Sequence, residues 1–244
     1  MTVTSPAPVG TVPAQPPPAP PEVPPPVSLR ERKKRATRRS LRRVALELVA
    51  ERGFPHVTVE DIAATADVSP RTFFNYFPTK EAALFGMDPD RMAGLRAAIV
   101  DAVPGAPAFD AVRAVMTGAA RGMAEDLRDL GGNPADWLRW MKAARTDPHL
   151  RAAQAAQMAQ LERTVAEALA QRLRADAERD PYPGMLAAVA VAMVRSGVIF
   201  WSNSGGAMAL ELYVDRAFGA LKDGLPEDSQ LRHVDGNVTE GKGI

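Results

Sequence analysis

This sequence predicts an all-α fold in two parts, three helices followed by about six more. Three observations carry that expectation. Apolar residues recur at spacings of three and four through most of the chain. Few stretches alternate β-branched and polar residues with the period of two that a half-buried strand needs. Pro- and Gly-rich separators then cut the chain into helix-sized pieces. The 244 residues suit one large domain or two small ones, and 46% hydrophobic with 24% charged residues is ordinary globular composition.

The elements follow in order. Residues 1–27 hold 11 of the 22 prolines and offer little to bury, so a proline-rich, extended or disordered tail is expected. They lack a charged start followed by an apolar run, so no secretory signal is expected and the chain reads as cytoplasmic. The stripe Leu41, Val44, Ala45, Leu48, Val49 marks the first helix, stopping at Gly53 before Phe54-Pro55. Thr58 caps a second, shorter helix carrying Val59, Ile62, Ala63 and Ala66. Ser69 and Pro70 open a third, running to about Tyr76 before Pro78. Thr79 caps a longer helix expected to reach about Ala102. Beyond the break at Pro104–Pro107, helices are expected over about 109–130, 135–145, 148–178, 183–203 and 207–223. Residues 226–244 are polar and Gly-bearing, a flexible C-terminal tail.

Several chemistries are excluded or unsupported. There is no cysteine, and His56, His149 and His233 lie far apart, so no metal set is expected. No phosphate loop, dinucleotide fingerprint or H-E-x-x-H motif occurs, and Ser202–Gly206 is not a G-x-S-x-G elbow. An all-helical enzyme therefore lacks support, and no cofactor is expected.

Charge points elsewhere. The formal net charge is only +1, but residues 28–85 hold twelve Lys/Arg against seven Asp/Glu, while residues 86–244 are slightly acidic. A basic front half suits a polyanion partner. The second and third helices, joined by Asp67-Val68-Ser69, have the short helix, tight turn, short helix pattern of a helix-turn-helix. In that arrangement Arg71 suits a guanine edge, and Asn75 an adenine edge or a phosphate. Thr72 suits a phosphate or a thymine methyl. Ser69 and Pro70 place the helix N-terminus where anions are favoured. Lys80 is expected to hold another phosphate. Nine Lys/Arg crowd residues 30–43, with Arg38 and Arg42 on one face, and phosphate attraction explains such a run economically. A solvated basic face is the plainer alternative, and Phe73, Phe77, Val68 and Ile62 read as core.

Thr58-Val59-Glu60-Asp61-Ile62-Ala63, then Val68-Ser69, Thr72, Phe77, Lys80-Glu81 and Leu84 resemble the N-terminal domain of TetR-family regulators over residues 35–85. The resemblance implies a three-helix DNA-binding domain (28–85) and a six-helix regulatory and dimerisation domain (86–225). It implies a homodimer on a palindromic double-stranded DNA operator, usually a repressor released by a small molecule. Thr58 joins the expected DNA contacts within it. The sequence departs from the pattern at Phe74, where a phosphate-binding tyrosine is usual, and at Tyr76, to which that contact is expected to move. Asp67 stands where glycine is frequent, and Asp tolerates left-handed backbone better than most residues.

The segment Arg71–Phe77, with Asp147–Arg151, is similar to the branch with an acyl-CoA-like ligand-binding C-terminal domain. That implies an acyl-CoA or another apolar ligand. Trp137, Trp140 and Met141 share one helix face with Arg145 close by, which suits a small-molecule wall, though such spacing more often marks an ordinary core. The apolar run from Met185 to Val194 is too short, and Arg195 too close, to expect a membrane span. It reads as a helix buried all round, with Arg195 needing a partner. Arg195, Phe200 and Asn203 complete the expected ligand contacts. The last two helices, with Leu210, Val214, Phe218 and Leu221 in one stripe, are expected to pair with their copies. A ligand-dependent activator and a non-specific DNA-coating protein remain as alternatives.

Overall fold

The first helix is longer than its apolar stripe. In the computed structural model, which describes residues 28–129, 147–176, 178–205 and 207–225, α1 spans Leu29–Arg52. Ser28 Oγ accepts the Glu31 N–H at 3.2 Å to start it, and Gly53 at φ 82° ends it. A 3₁₀ turn, Phe54–His56, leads to α2 (Val59–Thr65). At the start of α2 the Thr58 hydroxyl and the Asp61 carboxylate exchange hydrogen bonds with each other's backbone N–H. Asp67 turns the chain at φ 55°, the left-handed geometry its side chain tolerates, and α3 (Pro70–Phe74) follows, capped by Ser69. Thr79 caps α4 (Lys80–Phe85).

The expected single helix from Thr79 to about Ala102 is two. Gly86 leaves helical geometry, Asp88 caps, and Pro89 opens α5 (Pro89–Val100). A proline at the first helical position removes only an N–H that has no helical partner, so it starts a helix here. Next come α6 (Ala108–Asp129), α7 (Pro148–Leu173), α8 (Tyr182–Asn203) and α9 (Leu210–Lys222). No strand occurs among the described residues. The expected helix over 135–145 lies outside them.

Two apolar cores form. The first gathers Leu41, Val44 and Leu48 of α1 around Val57, Ile62, Phe73, Phe77 and Leu84, and α7 contributes Leu150 to it. The second joins α5–α9 through Leu95, Ile99, Met116, Val165, Leu169, Val191, Tyr213 and Phe218. Val198 of α8 packs on both. Leu210, Val214 and Phe218 therefore fill the chain's own core and are not left for a copy.

The helix α8 is long and apolar enough to cross a bilayer by length and composition alone. Here its Leu186, Ala187, Ala190 and Val191 are buried among α6, α7 and α9. It is not buried all round: Met185, Ile199 and Phe200 are exposed. Gly197 lets α8 approach α9 closely, since a Cβ there would lie 2.9 Å from Val214 Cγ2.

Polar ties hold the second part. Arg113 and Asp215 make a two-bond pair at 2.7 and 2.9 Å between α6 and α9. Arg172 of α7 donates to the carbonyls of Ile99, Val100, Ala102, Val103 and Ala106, closing the C-terminal end of α5. A cation at that end also meets the favourable pole of the helix dipole.

Candidate nucleic-acid interface and effector cavity

The short helix α3 is anchored by its inner side. Phe73 is fully buried and meets Phe77 at 5.8 Å between ring centres. Its outer side leaves Ser69, Pro70, Arg71, Phe74 and Asn75 exposed. Ser69 Oγ accepts the Thr72 N–H at 3.1 Å and shares a hydrogen with Thr72 Oγ1 at 2.9 Å. Two hydroxyls use one hydrogen between them, so one O–H remains for an external acceptor.

Thr72, Asn75 and Tyr76 share a groove with Leu29, Arg30, Lys33, Lys34 and Thr37 of α1. Among the described residues, Arg30, Lys33 and Lys34 make no ion pair, so the groove is strongly cationic beside the exposed face of α3. The Tyr76 ring is half-buried in its wall.

Four sequence-selected residues have other tasks. Lys80 Nζ donates to the carbonyls of Phe54 and Val57 at 3.0 and 2.8 Å and lies 4.0 Å from the Phe54 ring centre. In the structure it locks α4 to the 3₁₀ turn. Arg38 donates to the Tyr76 carbonyl at 2.7 Å, lies over the Phe77 ring at 4.3 Å and pairs with Asp88. Burial lowers its pKa, opposed by Asp88 and Asp90, yet a guanidinium stays charged at any physiological pH. Arg42 donates to the carbonyls of Leu84 and Gly86, both at 3.4 Å, at the end of α4. The Thr58 hydroxyl donates to Asp61 at 2.6 Å, and this bond, with the Thr58 N–H, holds the Asp61 carboxyl below its usual range. In each case some of the donors expected to face phosphate are engaged within the chain.

A separate cavity of about 170 Å³ lies where the two cores meet. Its apolar lining includes Leu84, Phe85, Met116, Met123, Met158 and Leu161. Arg42, Arg91, Arg195, Gln154 and Gln157 supply polar groups, with Asp88 as an acid. Methionine side chains adapt their shape readily, so such a wall accommodates different apolar bodies. Arg195 is exposed and stays solvated, so it bears no buried-charge cost. Phe200 does not line this cavity, its half-exposed ring meeting Tyr213 at 5.6 Å, nor does Asn203. Trp137, Trp140, Met141 and Arg145 lie outside the described residues.

Sequence reasoning missed Met87, Arg91, Met116, Met123, Gln154, Gln157 and Met158 as cavity residues. Gln154, Gln157, Met158 and Leu161 do recur at helical spacing on α7, but the same spacing marks any core-facing stripe. Only the meeting of α1, α4–α8 identifies them.

A capped helix-turn-helix with an exposed polar tip beside a cationic groove, joined to a second helical core, defines a DNA-binding protein. Comparison with known proteins specifies its family. Residues 41–85 match the model of bacterial regulatory proteins of the tetR family, and residues 106–226 match that of the MftR C-terminal domain. The HTH-type transcriptional regulator TcmR of Streptomyces glaucescens is 33% identical over 205 residues, spanning 82% of this chain and 89% of TcmR. The chain belongs to the TetR family of transcriptional regulators and is not an enzyme. Among solved structures, the Thermus thermophilus repressor FadR, in complex with lauroyl-CoA, is 25% identical with a TM-score of 0.48. That likeness covers 78% of this chain and 95% of FadR. FadR of Bacillus halodurans is 18% identical with a TM-score of 0.49, covering 78% of this chain and 96% of its own.

Proposed function

We propose that this regulator is a homodimeric repressor that holds a palindromic operator until a small effector enters the junction cavity and releases it. The observation that carries this is the position of Arg42. It belongs to α1 of the DNA-binding part, caps the end of α4, and forms part of the cavity wall. An effector at that wall has differential contacts with any state in which α4 has moved, which is what a population shift requires. Arg71, Asn75 and Thr72 read the operator, while Arg30, Lys33, Lys34 and Tyr76 hold its backbone. Ser69 and Pro70 present the helix N-terminus.

The dimer places two α3 helices about 34 Å apart, one turn of duplex. The exposed apolar side chains of α8, Met185, Ile199 and Phe200, with Leu212 of α9, support the last two helices as the face that meets its copy. A cavity of about 170 Å³ takes a group of roughly benzene size, because an apolar cavity of ~150 Å³ binds benzene. An acyl-CoA chain needs the methionine walls to open further. The arginines and glutamines suit an anionic or hydrogen-bonding end on a compact apolar effector.

The test is fluorescence anisotropy on the DNA immediately upstream of the protein's own gene, with excess random competitor, while sedimentation gives the oligomeric state. Saturable, competitor-resistant binding by a dimer is expected. Adding 2-naphthoate, neutral 2-naphthol or lauroyl-CoA then separates effector classes. Binding abolished by competitor here and on a genome-wide pull-down favours a non-specific coat. An effector that tightens the complex favours an activator.

A further inference from the structure

The outward side of α3 carries an aromatic ring that none of the polar contacts uses. Phe74 is 53% exposed and lies beside the exposed Arg71 and Asn75. Its ring meets the Phe73 ring edge-on, at 5.6 Å between centres and 89° between planes. Phe73 is fully buried, so the outer ring is braced on a fixed one. Presenting a braced ring with two side-chain torsions costs little entropy on binding. Leu29 is also exposed within residues 28–85, but it lies on α1, lining the groove beside Thr72 and Asn75, and is not carried by α3.

A phenyl ring has no hydrogen-bond donor or acceptor, so Phe74 cannot hold a phosphate as a tyrosine would. In the major groove the base edges differ in one apolar group, the 5-methyl of thymine. We propose that Phe74 is a specificity-determining residue that recognises thymine through that methyl, beside the polar edges read by Arg71 and Asn75. This rests on the reading of α3 as the groove-entering helix.

The test uses the full-length protein to enrich a duplex from a randomised library. The enriched duplex is resynthesised with deoxyuridine replacing each thymidine singly. That exchange removes the methyl and keeps every polar atom of the base. In each half-site, at least one exchange is expected to weaken wild-type binding roughly fourfold, the worth of one buried methyl. The loss should vanish in Phe74→Ala and persist in Phe74→Leu, with thermal melts of both variants close to wild type. Exchanges that are silent at every thymine overturn the proposal, as does a loss undiminished in Phe74→Ala. Phe74→Ala weakening operator and random duplex equally also overturns it, placing the ring against sugar and phosphate. If no duplex is enriched, the groove-reading of α3 itself has failed, an outcome distinct from a silent exchange series.

Discussion

Replacing Lys80 by Met separates two roles that the residue type alone leaves open. Methionine keeps much of the aliphatic stem and removes the ammonium. The ammonium makes bonds of 3.0 and 2.8 Å to two carbonyls and lies 4.0 Å from the Phe54 ring centre. A hydrogen bond from a charged group contributes about 1.5–3 kcal/mol and a cation–ring contact about 0.5–1 kcal/mol. The three share one ammonium and do not simply add, so the expected loss is about 2–4 kcal/mol. For a chain of this size that lowers the melting temperature by roughly 4–16 °C. Circular dichroism melts measure this, and anisotropy titrations over a series of KCl concentrations measure the salt slope on the operator. A lock predicts a lower Tm and an unchanged slope. A phosphate contact predicts an unchanged Tm and a slope smaller by about 0.9. The second result would refute the structural assignment.

The other expectations concern different parts of the molecule. Replacing Arg30, Lys33 and Lys34 together by Ala should reduce the salt slope by about 2–3 on any duplex, measured by anisotropy, with Tm little changed. Arg71→Ala should cost about 1–3 kcal/mol on the operator and relax one base position; equal losses on operator and random DNA would make Arg71 a phosphate contact only. Gly197→Ala should destabilise by about 1–3 kcal/mol in thermal melts, because the new methyl meets Val214 at 2.9 Å and its backbone N at 3.3 Å. The hydrogen bonds from Arg113 hold the Asp215 carboxyl below the usual carboxylate range. Their stabilisation is in full above the unfolded carboxylate pKa and is lost as pH falls through the lower folded value. Denaturant melts should show falling stability below about pH 5, and Asp215→Asn should flatten that acid limb.

Local chemistry made much of the fold legible in the residue order. Ser28, Thr58, Ser69, Thr79 and Asp147 cap helices through bonds to N–H groups two or three positions on, so neighbours in sequence settle them. The left-handed turn at Asp67 and the stripe of α1 are local in the same sense. The break at 86–88 is local as well, because Gly86 followed by Asp88-Pro89 repeats the cap-and-proline start of Ser69-Pro70, although the apolar pattern runs on across it.

Partners distant in sequence decided the rest. Arg38, Arg42 and Lys80 are long, flexible cations, and their carbonyl partners lie 23–44 positions away. No pattern in the chain separates them from Arg30, Lys33 and Lys34, which the fold leaves beside α3. The cavity likewise takes its walls from six helices, each contributing residues that in isolation are indistinguishable from core. A cation's role and a cavity's shape depend on which surfaces meet, and periodicity along one helix carries no record of the neighbour that packs on it.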